Sequence, residues 1–400
     1  MNANAPVNAN APARAELVRR AAEVAPVLRA NAPWGDEHRR LHEESLAALT
    51  DAGLFRMRVP ARYGGYETDA ATFVEVMTEL ARGDGSAAWN VSAWSVSAWM
   101  ACQFPDHVQD EVFGSSAGDV RVCGVLSPSA TAVPAADGAV VNGAWQFISG
   151  AHHSGWQVAL AMGPTPDGQS QWPLMALVPL SDLTIVDDWD TTGLRGTGSV
   201  TTVAEDVFVP QDRLLPLALV LQEQSASKLN PESALYRAPL IATGCTTFTG
   251  TAIGLARSAL ATYLEQLDKK ITYTEYASRR EAPVTHLQVA EAALRIEEAE
   301  GHAARLAALV DAKGAAGEPW TVEERVHARA YLGRVFDRAT RTARSLGDAS
   351  GGGSLYLTGP LQRTVRDLHA LSLHALMHPA TNTELYGRVL CGLAPNTMYL

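Results

Sequence analysis

Four hundred residues, 47% hydrophobic and 19% charged, are too long and too apolar for a disordered chain and suffice for a sizeable buried core. With 43 acidic against 32 basic side chains the net charge is −11 and no Lys/Arg stripe recurs, which excludes a nucleic-acid binder or an anionic-membrane binder and leaves a small molecule as the expected partner. Cys102, Cys123, Cys245 and Cys391 are scattered without CxxC spacing, so neither a metal knuckle nor a disulfide framework is expected, and a reducing cytoplasm fits.

Residues 1–14, mostly Asn, Ala and Pro, read as a disordered tail without the apolar stretch of a signal peptide. Over residues 15–121 apolar side chains recur at steps of three and four: Leu17, Val24 and Leu28, then Leu41, Leu46 and Leu49, then Phe73, Val76, Met77 and Leu80. That spacing predicts an N-terminal helical domain punctuated by glycines. Over residues 122–225 the period falls to two, with β-branched and aromatic runs between Pro and Gly turns and a hairpin signal at Asp137-Gly138. This block is expected to be a β-barrel or sandwich. The longest apolar run, residues 214–221, is interrupted by Pro216 and too short to span a bilayer. Over residues 226–400 the helical period returns, and two long stripes joined through residues 313–320 predict an antiparallel hairpin inside a four-helix bundle. Strands and helices do not alternate, so the expected class is α+β, and no GxGxxG follows a strand.

Two apparent motifs dissolve in context. Residues 114–118 spell GxSxG, but a helical segment precedes them where a nucleophile elbow needs a strand, so a surface turn is expected. His374 and His378 have the spacing of zinc ligands on a helix, but the Glu of HExxH is missing and Pro379 follows, so no metal is expected. More informative is the stretch of residues 188–199, dense in Gly, Thr and Ser between strands, where backbone and hydroxyls can approach a flat polar ring.

This loop, with Glu205-Asp206-Val207-Phe208-Val209-Pro210 after it, resembles the middle domain of the acyl-CoA dehydrogenase superfamily. The likeness extends to Pro60 and Gly64-Gly65, to residues 125–130, to Trp145-Gln146-Phe147-Ile148-Ser149-Gly150, and to Pro360-Leu361-Gln362-Arg363 with Arg366-Asp367-Leu368-His369. It is closest to one branch, the two-component flavin-dependent monooxygenases. At the place where many dehydrogenases carry a catalytic Glu stands Ala375, which cannot take a proton. The resemblance implies an N-terminal helical domain, a middle β-domain and a C-terminal bundle assembled as a homotetramer. It implies an oxygenase component that receives diffusible reduced FMN or FAD from a separate NAD(P)H-dependent reductase and reacts it with O2. Through a flavin hydroperoxide, such an enzyme hydroxylates a small aromatic, heteroaromatic or polyketide-like substrate. The competing expectation is an acyl-CoA dehydrogenase with tightly bound FAD; a flavin-free binding protein is a third.

The same resemblance assigns residues. His374 would be the catalytic imidazole, Ser149 would hydrogen-bond the flavin near N5, and His369 would assist at the pocket. Trp89, Leu126, Ser127, Phe147, Gly150 and Thr197 would surround the ring, and Arg279 and Gly352 would serve its phosphate or dinucleotide end. Trp89, Trp94 and Trp99 recur at steps of five, which makes no narrow helical stripe, so some of these indoles are expected to line a pocket.

Overall fold

The computed structural model describes residues 11–114 and 119–400. The GxSxG run lies largely outside these residues, as does most of the expected tail, and Arg14 already begins the first helix.

Five helices open the chain: α1 (Arg14–His38), α2 (Glu43–Asp51), α3 (Ala70–Gly83), α4 (Gly85–Ala101) and α5 (Asp106–Phe113). On α1 the buried side chains include Leu17, Val24 and Leu28, and on α3 Phe73, Val76, Met77 and Leu80, so the stripes in the sequence are the faces that pack. Asp84 ends α3 and starts α4, its carboxylate accepting the Ala87 N–H at 2.9 Å. Helix α4 is buried on nearly every side, which is why its tryptophans form no stripe.

The middle of the chain forms β1 (Val122–Gly124), β2 (Ala130–Ala135), β3 (Gly138–Ile148), β4 (Trp156–Pro164), β5 (Gln171–Pro179), β6 (Thr184–Val186), β7 (Val200–Pro210) and β8 (Leu214–Pro216). They make one mixed sheet ordered β6-β7-β3-β2-β4-β5-β8, with β1 parallel to β4 at its side. The expected hairpin is present: Ala135 pairs with Gly138, and Asp137 takes a left-handed φ of 61° in the turn. Near its end β3 shifts register against β7 between Trp145 and Ile148, and Phe147 takes a φ of 65° there, so the strand twists out of its ladder just before Ser149.

After the short α6 (Leu217–Leu221) come α7 (Leu240–Leu264), α8 (Pro283–Ala316), α9 (Val322–Ala349), α10 (Pro360–Ser372) and α11 (Pro379–Leu390). Helices α8 and α9 are the expected hairpin, and Lys313 at its tip pairs with Glu324 at 2.7 Å. Helix α7 is the axis of the molecule, packed on α3, α4, α8, α9 and α10. Its contact with α3 is so close that a Cβ on Gly254 would stand 2.2 Å from the Thr78 carbonyl oxygen. Gly254→Ala is therefore expected to cost about 1–3 kcal/mol through forced separation of the two helices. Thermal unfolding should show a lower midpoint with an unchanged circular-dichroism spectrum.

Candidate active site

Helix α4, the end of β3, the loop before β7, helix α7 and the turn after α10 converge on the Trp89 side chain. Its indole stacks on Phe248 of α7 with ring centroids 4.8 Å apart. His374 meets the same indole edge-on at 5.6 Å and lies 6.3 Å from Phe248. The indole Nε1–H donates to Ser149 Oγ at 2.8 Å. Ser149 and His374, 225 positions apart by their numbers, thus touch one aromatic ring.

Ser149 is buried, and a chain of hydroxyls continues from it: Ser149 Oγ lies 2.8 Å from Ser199 Oγ, which lies 2.6 Å from Thr197 Oγ1. The Thr197 carbonyl accepts from Gly150 N–H at 2.9 Å and from Asn90 Nδ2 at 3.2 Å, binding the loop to both β3 and α4. Gly150 has a φ of 69°, and a Cβ there would come within 2.4 Å of the Trp94 ring, so only glycine lets the chain turn here against the indole.

The loop is held from behind as well. Asp367 Oδ1 of α10 accepts the Leu194 N–H at 2.6 Å, fixing a residue whose φ is 53°. Burial, with Asp84 close by, pushes the Asp367 carboxyl up to about 7 against the pull of the Leu194 hydrogen bond.

His374 differs from its expected setting. It lies in the turn after α10 and not on a helix, so its four-residue spacing from His378 is not a helical one. Pro379 does not end a helix but begins α11, where its missing N–H costs nothing, and His378 caps that helix. The His374 Nδ1 faces the Leu376 N–H at 3.2 Å. That N–H can only donate, so Nδ1 is the acceptor and the proton of the neutral ring is on Nε2. The ring keeps an exposed edge, yet protein surrounds it closely enough to penalise the imidazolium and push it down to about 4. His369 is exposed on α10, and its backbone carbonyl accepts from Ser372 Oγ at 2.7 Å.

The remaining expected residues divide. Leu126 is half-buried and its carbonyl accepts from Tyr399 Oη at 3.2 Å; Ser127 is exposed; Phe147 is exposed with its edge 5.9 Å from Trp189. Arg279 and Gly352 border a separate cavity of about 770 Å³, together with Gln288, Gly351, Gly353 and the start of α10. Ten residues of α10, Arg363–Ser372, separate this cavity from the His374 turn, about 15 Å of helix. Arg279 donates from Nη2 to the Ser350 carbonyl at 2.8 Å, while its buried Nε and Nη1 have no partner. Such orphaned guanidinium donors suit an anion.

Two residues of the Trp89 cluster, Ser199 and Phe248, were not singled out from sequence. Ser199 stands inside the glycine-rich loop, but its place in the hydroxyl chain is set by the fold. Phe248 lies on α7, whose all-round burial gives no stripe to read. Trp94 stood among the three spaced indoles, and its contact with Gly150 is what distinguishes it.

Family models agree with this architecture: the acyl-CoA dehydrogenase N-terminal domain matches residues 13–112 and the C-terminal domain residues 246–379. An oxygenase subunit of a flavin-dependent monooxygenase, HsaA from Rhodococcus jostii, is 31% identical, covering 94% of this chain and 98% of its own. The oxygenase component of an FADH2-dependent resorcinol hydroxylase from Rhizobium is 30% identical, with 99% of both chains covered. The chain belongs to the flavin-dependent monooxygenase oxygenase components built on the acyl-CoA dehydrogenase fold. Among solved structures, XiaF from Streptomyces in complex with FADH2 superposes with a TM-score of 0.90 at 31% identity over 96% of this chain and 97% of that one. The 3-HSA hydroxylase from Rhodococcus gives 0.89 at 31% over 96% and 99%. Among the described residues no helix is long and apolar enough to cross a membrane.

The His374 environment predicts a pH effect with a definite sign. Its pKa is about 4 in the fold against an ordinary value of 6.5, so between those values the unfolded chain takes up a proton that the folded chain refuses. The stability term is whole above pH 6.5 and is lost as pH falls toward 4. His374→Asn should lose less stability than the parent over that window in urea unfolding, and NMR of the parent should place the imidazole midpoint near 4.

Proposed function

We propose that this oxygenase component hydroxylates a small aromatic or heteroaromatic molecule at the Trp89 cluster, with reduced flavin delivered by a separate NAD(P)H-dependent reductase in the cytoplasm. The observation that carries the reading is the convergence of Ser149 and His374 on one indole, beside a glycine turn that removes the side chain next to Ser149. The bound flavin supplies the reducing equivalents that let O2 donate one oxygen atom to the substrate.

The residues present fit such a cofactor. Ser149 and Gly150 would meet the ring near N5, Thr197 would back them, and Trp89 and Phe147 would flank it. Leu126 and Ser127 would border the ring from the β1–β2 connection. The unpartnered Nε and Nη1 of Arg279, with the backbone of Gly352, would serve the phosphate or dinucleotide end. Because α10 sets that cavity about 15 Å from the His374 turn, we propose that it completes the site of a neighbouring subunit in a homotetramer.

His374 has a definite chemical role. An imidazole whose pKa is pushed down to about 4 is a poor acceptor for a proton from a weakly acidic hydroxyl or N–H. It acts instead as a neutral ring, its Nε2–H donating to a substrate oxygen or to the oxygen that is being transferred. Trp89 and Phe248 give the substrate an aromatic surface and exclude water from the reacting atoms. His369, exposed on α10, would assist at the pocket entrance.

The test supplies reduced flavin from a reductase under 18O2 and a panel of phenols, indoles and fused heteroaromatics. One labelled oxygen is expected in the product of at least one class, and His374→Ala should lower the product yield by about 10²–10³-fold. Oxygen consumption that yields only hydrogen peroxide with every class would overturn the assignment.

A further inference from the structure

The hydroxyl chain behind Ser149 has only one possible direction. Thr197 Oγ1 lies 2.8 Å from the Leu194 carbonyl oxygen, which has no hydrogen, so Thr197 donates there. A threonine hydroxyl carries one hydrogen. The 2.6 Å contact between Ser199 and Thr197 is then a donation from Ser199, and the 2.8 Å contact between Ser149 and Ser199 a donation from Ser149. Trp89 Nε1–H, which can only donate, fills one acceptor position on Ser149 Oγ. Every hydrogen in the series is committed, and Ser149 keeps one lone pair and nothing to give.

The terminus of the chain is fixed firmly enough to hold this polarity. The Leu194 carbonyl accepts also from Trp189 Nε1 at 3.0 Å and from Thr197 N–H at 3.1 Å, while Asp367 grips the N–H of the same residue. Thr197, Ser199 and Ser149 are all buried, so bulk water is not at hand to replace a member of the series.

We infer that Ser199 and Thr197 are positioning residues which make Ser149 an acceptor only, and that the site thereby selects reduced flavin, whose N5 carries a hydrogen, over oxidised flavin, whose N5 offers only a lone pair. The inference rests on the flavin reading above, with Ser149 at the N5 edge. Against the reduced ring the acceptor meets a donor; against the oxidised ring two lone pairs face each other, and no rotation of the Ser149 hydroxyl relieves this without breaking its bond to Ser199.

Removing either downstream hydroxyl frees the series. In Ser199→Ala the Ser149 hydrogen has no buried acceptor and can turn to the ring; in Thr197→Val the Ser199 hydrogen can turn back to Ser149, with the same result. Thr197→Ser keeps the hydroxyl and the polarity. The experiment is anaerobic titration of the full chain with reduced and with oxidised FAD and FMN, giving the ratio of the two dissociation constants without any turnover. The parent and Thr197→Ser are expected to favour the reduced form. Ser199→Ala and Thr197→Val should lose about tenfold of that ratio, mainly by tighter binding of the oxidised form. A parent that favours the oxidised form, or a ratio unchanged in both variants while each retains the parental unfolding midpoint, would overturn the inference and leave the flavin reading standing. A parent that binds neither form of either flavin would overturn both.

Discussion

The Trp89 side chain joins three parts of the chain that fold by different rules. Its ring belongs to a helix buried on nearly all sides, its N–H reaches the segment after a strand, and the ring meets Phe248 of a second helix and His374 of a turn. An indole is suited to this junction because it combines a large apolar surface with one directed donor. Replacing the donor would leave Ser149 without the bond that orients it, and shrinking the ring would remove the surface that Phe248 and His374 share. The position of every other group at the cluster follows from this one.

Much of the architecture could be read from spacing. Helices α1 and α3 and the α8–α9 hairpin show their apolar stripes because one face of each is more deeply buried than the other, and β2 alternates buried and exposed side chains for the same reason. Helix α7 could not be read this way. From Leu240 to Ala256 it is buried on all sides, the hydroxyls of Thr246, Thr247 and Thr249 are turned back onto its own backbone, as with Thr247 Oγ1 to the Thr243 carbonyl at 2.7 Å, and nothing in that stretch marks a wet face. The same blindness hid Phe248. The turn that carries His374 is hidden for a simpler reason: a proline that ends one helix and a proline that begins the next, as Pro379 does, look alike until the preceding residues are seen to leave the helix.

At the site, residue types were readable and their grouping was not. Ser149, Gly150, Thr197 and His374 carry a resemblance in their local motifs, and the fold brings them to one place. Arg279 and Gly352 carry it too, yet about 15 Å of α10 lies between their cavity and the His374 turn, a separation no local motif encodes. The direction of the hydroxyl series was the least visible feature. It depends on a carbonyl at Leu194 that has no hydrogen to offer, on a left-handed φ at that residue, and on a carboxylate from a helix 173 positions later in the chain.

The charges of the molecule are distributed to match this division. Ser149, Trp89, Phe248 and the depressed imidazole of His374 are all uncharged near neutral pH, so the groups around the reacting atoms present dipoles of fixed direction and no ion. A fixed dipole in a poorly solvated place needs no reorganisation when charge shifts on the ligand, whereas an ion there would bring its own desolvation cost and attract water. The cation belongs at the other end of α10, where Arg279 borders an open cavity and can hold an anion without carrying water to the cluster. Separating the two along one helix keeps the guanidinium, and the water it carries, away from the uncharged groups beside Trp89.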